Sequence, residues 1–217
     1  MYMSSTRRGE RSRDEILDAT ARLMAERGYD GTSVAAVATE VGMPKSLVFH
    51  HFRSKIRLLS AVMARGADRF FDEMREAQAQ PPVGGTHEER LAWYLDRAAE
   101  ALARHDDFHR LHSILMMTSD VMDPEVRETI TRIRSDGRAH MHRMIASAFA
   151  GLGPVRASAV ADELTVFGMV GIDGSFIAQR GDGIPLTSQM AQLTKAMIAI
   201  GEAHAAAFDD EVRASHA

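Results

Sequence analysis

The chain has no cysteine. That excludes disulfides, thiolate-bound metals and a cysteine nucleophile, and it fits a reducing compartment. No apolar run approaches the ~18 residues that a membrane span requires. The stretch from Met1 to Arg13 is polar and basic. No secretory signal is expected there; a flexible basic arm over 1–12 is expected instead, and the chain is expected to act in the cytoplasm. Period-two alternation with β-branched content is also missing, so no strand is expected. Fixed-period repeats and low-complexity tracts are absent. So are common enzyme signatures: there is no Walker loop, no Gly-x-Ser-x-Gly and no Glu-x-x-His pair.

What is present is an ordinary globular composition, 45% hydrophobic and 26% charged over 217 residues. That length allows one large domain or two smaller ones. The net charge of −4 conceals an asymmetry. Residues 1–57 carry ten Lys and Arg against seven Asp and Glu, a surplus of three, so the remainder carries −7. A basic head on an acidic body implies that the head alone meets a polyanion.

The apolar periodicity is helical throughout and predicts an all-α protein of about nine helices. Ile16, Thr20 and Leu23, with Leu17, Ala21 and Met24 beside them, define a first helix that starts near Ser12 and is closed by Gly28. Thr32 or Ser33 caps a short second helix with the stripe Val34, Val37, Ala38 and Val41. Gly42 breaks the chain, and Pro44 opens a third helix that ends near Arg53. Ser54 caps a long fourth helix, over 54–79. Further helices are expected at about 87–105, 107–119, 123–149, 154–180 and 186–208, with a frayed tail after 208. Asp123-Pro124-Glu125 is a strong helix start, with a cap, an N1 proline and an acid in the first turn.

Two short helices joined by a tight glycine-containing turn form a unit whose second helix can enter the DNA major groove. Val37, Ala38, Val41, Val48 and Phe52 are the apolar residues that lock the two together. Lys45, Ser46, Phe49, His50 and Arg53 fall mostly off that face. Lys55 opens the next helix, where a cation and free backbone N–H groups together suit a phosphate. The alternative is that these are solvated polar residues on a small bundle.

From about Ile16 to Leu59 the chain resembles the DNA-binding domain of the TetR family of transcriptional regulators. The matching residues are Gly28-Tyr29-Asp30-Gly31-Thr32-Ser33-Val34, Ala38, Val41-Gly42, Val48 through Lys55, and Leu58-Leu59. The resemblance implies a helix-turn-helix domain over 1–57, and a ligand-binding and dimerisation domain over 58–217. It implies a homodimeric repressor that reads a near-palindromic operator and answers to a small molecule. It places Lys45, Ser46 and Leu47 at base edges. It places Thr32 or Ser33, Lys55, His50 and His51 at phosphates, with Arg7, Arg8, Arg11 and Arg13 near the adjacent backbone or minor groove. There are departures. Pro44 stands where the family often has serine, Phe49 where it commonly has a phosphate-contacting tyrosine, and Ile56 where it often has an acid.

In the body, Gly168, Gly171 and Gly174 recur every three residues. Together with Ala199 and Ala203 in the last helix, they suggest a small-residue dimer face. Trp93, Phe108, Leu111, Met116, Met141, Met144 and Phe167 are candidates to line an apolar or amphipathic effector pocket, with Asp173 as polar anchor; most such residues simply build core. No resident cofactor or metal is expected. His105, His109 and His112, at i, i+4 and i+7, offer a metal-responsive alternative if one helix spans them. Asp106-Asp107 argues for a helix break that spoils that register. An all-α enzyme is the alternative from another class.

Overall fold

The structure is a computed structural model that describes residues 3–117 and 123–214. Within them the chain is all-α, with no strand. The elements are α1 (Met3–Arg27), α2 (Val34–Glu40), α3 (Lys45–Phe52), α4 (Lys55–Ala77), α5 (His87–Arg104), α6 (Asp106–Met117), α7 (Pro124–Ala148), a short 3₁₀ turn (Ala150–Leu152), α8 (Pro154–Asp182) and α9 (Leu186–Ala214). No helix among the described residues is long and apolar enough to cross a membrane.

Two boundaries differ from the sequence reading. α1 begins at Met3 rather than near Ser12, so the backbone of 3–12 is helix and not a loose arm. No proline interrupts this stretch, and an Arg11–Glu15 pair one turn apart at 3.0 Å supports it. α9 runs to Ala214 rather than ending near 208; Asp209 through Ala214 contain neither glycine nor proline. The expected end of the sixth helix at 119 and the last three residues of the tail lie outside the described residues.

The chain forms two compact units. One takes in residues up to Arg69 together with His105–Ile133; the other takes in Phe70–Arg104 and Arg134 onward. In the first, α1 to α4 enclose a core of Ile16, Leu17, Leu23, Val34, Val37, Ala38, Val48, Phe52, Leu58 and Val62. Arg65 of α4 holds Asp18 of α1 at 2.7 Å. Arg110 of α6 donates to the carbonyls of Met24 and Ala25 at 3.3 and 3.0 Å. A cation thereby meets carbonyls in the last turn of α1, where the helix dipole favours it.

In the second unit α8 packs most extensively on α9, and α5 also packs on α9. α5 starts with a reciprocal cap: Thr86 N donates to Glu89 Oε2 at 2.8 Å and Glu89 N donates to Thr86 Oγ1 at 3.1 Å. Glycine lets the long helices approach closely. A Cβ on Gly201 of α9 would sit 2.8 Å from Phe149 Cζ and 3.0 Å from Val160 Cγ1.

Candidate nucleic-acid interface

The turn between α2 and α3 is set by Gly42, whose φ of +64° an L side chain adopts only under strain. Gly42 N donates to Thr39 O at 3.2 Å and Met43 N donates to Ala38 O at 3.0 Å. This is the Schellman pair that satisfies the last carbonyls of a helix. The start of α2 is as firmly made: Ser33 is extended and its Oγ accepts from Ala36 N at 3.0 Å. Pro44 sits at the N-cap of α3 with φ −59° and offers no side-chain cap. Its carbonyl accepts from Leu47 N at 2.9 Å.

Val48 and Phe52, one turn apart on α3, are its buried residues and hold it against the head core. The other faces point outward. Lys45, Ser46 and His50 are exposed, Phe49 is 39% exposed, and Leu47, His51 and Lys55 are partly exposed. Lys45 Nζ lies 5.5 Å from the Phe49 ring centroid. Lys55 Nζ sits 4.1 Å from the Tyr29 ring centroid and 3.4 Å from Asp30 O. Tyr29 and Asp30 of the Gly28–Gly31 turn thus aim the Lys55 ammonium. Burial, and then the neighbouring His50 and Arg13, lower the His51 pKa; its imidazole is biased towards neutrality until an anion arrives.

The structure separates Thr32 from Ser33. Thr32 is 1% exposed and its hydroxyl donates to Gly28 O at 2.9 Å, so in this conformation it braces the turn instead of facing solvent. Ser33 is exposed, and its hydroxyl hydrogen remains available while its oxygen caps α2. Of the basic residues before position 14, Arg13 lies over the Phe52 ring at 5.3 Å, Arg11 is paired to Glu15 and Arg7 is exposed. The Arg8 side chain lies outside the described residues.

Two residues next to this surface were not singled out from the sequence for their structural roles. Arg53 closes α3 with φ +59° and ψ −37°, and Ser54 N donates to Phe52 O at 2.6 Å across it. That is a γ-turn of the rare, strained kind. Arg57, in the first turn of α4, is held by Asp123 at 2.6 Å and Glu125 at 2.7 Å. The Asp123 hydrogen bond raises the Arg57 pKa, and the same bond lowers that of Asp123. The acids of Asp123-Pro124-Glu125 therefore start α7 and also clamp the start of α4. His50, His51, Phe52, Arg53, Arg57 and Glu125 line a cavity of about 300 Å³ beside the end of α3.

The effector-pocket candidates are divided between the two units. Phe108, Leu111 and Met116 belong to the first unit, where Phe108 packs on Gly66 and stacks on His112. The others belong to the second. There, Gln78, Tyr94, His140 and Met144 share a cavity of about 170 Å³ with Arg75, Arg143 and Ser147. Met144 alone of the eight candidates lines it. Trp93 neighbours it through Tyr94, with ring centroids 5.1 Å apart, and Met141 is buried against Gly168. Asp173 is taken by Arg134 at 2.7 Å. Phe167 is 42% exposed on α8.

The small residues divide in the same way. Gly168 faces Met141 and Met197, and Gly171 faces Leu193, so both serve packing within the chain. Gly174 meets nothing within 4 Å, and Ala199 and Ala203 are exposed. Gly174 lies on an apolar stripe the sequence reading passed over: Val166, Val170 and Ile177 are 62%, 60% and 63% exposed. His109 and His112 are buried with ring centroids 6.5 Å apart, and His105 falls between α5 and α6. Among the described residues, no group of three or more His, Asp or Glu is placed to hold a metal ion, and the metal-responsive alternative draws no support.

Residues 16–62 match the family model described as bacterial regulatory proteins, tetR family. The chain is 30% identical over 135 residues to the transcriptional repressor AcnR of Corynebacterium diphtheriae, covering 61% of this chain and 67% of that protein. It is 33% identical over 84 residues to AcnR of Corynebacterium efficiens, covering 38% of this chain and 45%, about half, of that protein. Its fold is similar to that of a TetR-family regulator from Streptomyces coelicolor (TM-score 0.63, 21% identity, 94% of this chain and 86% of that one). It is also similar to that of FadR from Bacillus subtilis, solved with stearoyl-CoA (0.61, 17%, 84% and 96%), and to that of a regulator from Saccharomonospora viridis, solved with choline (0.63, 21%, 86% and 95%).

Proposed function

The chain belongs to the TetR family of transcriptional regulators, and from that membership we propose that it is a homodimeric repressor. It reads a near-palindromic operator through α3 and leaves that operator when a small molecule binds its C-terminal body. The observation that carries this is the α3 surface. An eight-residue helix, fixed by a glycine turn and two buried residues, presents Lys45, Ser46, Phe49 and His50 outward. In this reading Lys45, Ser46 and Leu47 meet base edges. Ser33, Lys55, His50 and His51 hold phosphates, Phe49 packs on sugar edges, and Thr32 braces the turn behind them. Residues 1–57 are the DNA-binding part and 58–217 the ligand-binding and dimerisation part, and the protein works in the cytoplasm.

The exposed stripe on α8 supports the dimer, because an apolar row of that kind seldom faces water on a monomer. With Gly174, Ala199 and Ala203 it offers a two-fold face of small and apolar residues. The solved relatives that hold stearoyl-CoA and choline support an effector-responsive body. Selecting bound sequences from a random DNA pool tests the reading. It expects enrichment of a site with two related half-sites, bound with an affinity that falls steeply with salt. A pool that yields no common sequence would sink it.

A further inference from the structure

The cavity between α4, α5 and α7 has a chemistry that the reading above leaves unspecified. Gln78 is 8% exposed and His140 7% exposed. Gln78 Nε2 donates to Tyr94 O at 3.1 Å and contacts Met144 Sδ at 3.1 Å. Because a backbone carbonyl can only accept, the amide nitrogen must be on that side, and Oε1 must face His140. His140 Nε2 stands 2.8 Å from that oxygen and so carries the ring proton. Nδ1 is left buried and without a protein partner. An unmet buried polar atom costs about 1–3 kcal/mol; with the proton on Nε2, Nδ1 is an acceptor, so a donor such as the P–OH of hydrogen phosphate can meet it and a carboxylate cannot.

The residues that line the cavity bring positive charge, from Arg75 and Arg143, and no carboxylate. Arg75 is ion-paired to Asp72, which is not among the lining residues. Burial, followed by the fields of Arg143 and Arg75, holds the His140 pKa down to about 4. The imidazole is therefore neutral near pH 7, and the positive charge resides on the guanidinium groups. Guanidinium is the side chain best matched to carboxylate and phosphate oxygens. The volume, about 170 Å³, suits a phosphate or a short carboxylate chain. The Ser147 hydroxyl adds a further polar group.

We propose that this cavity binds a small oxyanion, a phosphate or a short-chain carboxylate, with Arg75 and Arg143 carrying the charge recognition, while Gln78 and His140, whose N–H groups are already engaged within the chain, close the floor. The proposal deepens the effector-responsive reading and rests on it for its regulatory consequence. The chain's single tryptophan, Trp93, adjoins Tyr94 of the cavity wall and serves as a reporter.

The full-length protein is titrated with inorganic phosphate, acetate and succinate at constant ionic strength, with chloride as the matched control. Tryptophan fluorescence is read together with calorimetry, so that a silent reporter is not taken for an empty site. Saturable binding of phosphate or a carboxylate, absent with chloride, is expected, and which of the two binds identifies the class. Arg143→Gln and Arg75→Gln alter exposed side chains and should keep the wild-type melting temperature while weakening binding at least tenfold, about 1.4 kcal/mol. A chloride response equal to the others, no heat with any of the three anions, or an Arg75→Gln/Arg143→Gln double variant that binds like the parent overturns the site. Repeating the titration on the operator complex separates the two readings. Anion binding that leaves operator affinity unchanged keeps the site and sinks the effector response. Operator release by another small molecule, with no anion bound, does the reverse.

Discussion

Single side chains decide much at the DNA-facing end. Arg53 occupies a left-handed backbone position that disfavours any residue with a Cβ by about 1–2 kcal/mol, against the 0.5–1 kcal/mol that glycine loses in chain entropy. Arg53→Gly should raise stability by about 0.5–1 kcal/mol in chemical denaturation. Without this cation, operator binding should weaken and the slope of log affinity against log salt should fall by about 0.9, if Arg53 meets a phosphate. His140 makes a second residue-scale prediction. Its folded pKa of about 4 lies below the 6.5 of an unfolded histidine, so between those values the unfolded chain binds more protons. Stability from this group is full above pH 6.5 and declines as pH falls towards 4, by up to about 1.4 kcal/mol per pH unit. His140→Gln, which can still donate to Gln78, should flatten that part of the curve in urea unfolding series; an unchanged slope contradicts it.

Among elements, the helix-turn-helix is the part most fully written in local signals. Gly42 needs a positive φ, and Gly42→Val should cost about 1–2 kcal/mol and abolish operator binding by tilting α3, with helix content by circular dichroism nearly unchanged. Ser33→Ala should cost about 1 kcal/mol through loss of the α2 cap. Those residues were legible because caps and turns are decided within a few positions. The Arg57 clamp was not. Asp123-Pro124-Glu125 read correctly as a helix start, but nothing local says that its acids meet a guanidinium 66 residues earlier. Thr32 and Ser33 show the limit at close range: both are good N-caps, and only packing put Thr32 inside. Gln78, the floor of the cavity, is one polar residue near the end of an amphipathic helix, with no sequence signal to set it apart.

At the scale of the molecule, the proposed dimer depends on the α8 stripe. Val170→Glu or Ile177→Glu places a charge on a face that is exposed in one chain, so each variant should fold with a normal circular dichroism spectrum. Each should sediment as a monomer. Operator affinity should then fall on the order of a hundredfold, because one recognition helix keeps only its own half-site. A variant that remains dimeric, or a monomer that binds undiminished, would remove α8 from the interface.

The sequence by itself determined that the chain is all-helical, where most helices start and stop, and that residues 16–59 form a helix-turn-helix of a recognisable family. Those properties follow from periodicity, caps and glycine turns, which act over one or two helical turns. The tertiary structure alone decided which small residues on α8 face inward and which outward, which acids clamp Arg57, and which polar residues share the cavity behind Tyr94. These depend on how distant helices rotate against one another. A helix carries the same periodic pattern whichever of its neighbours it finally meets.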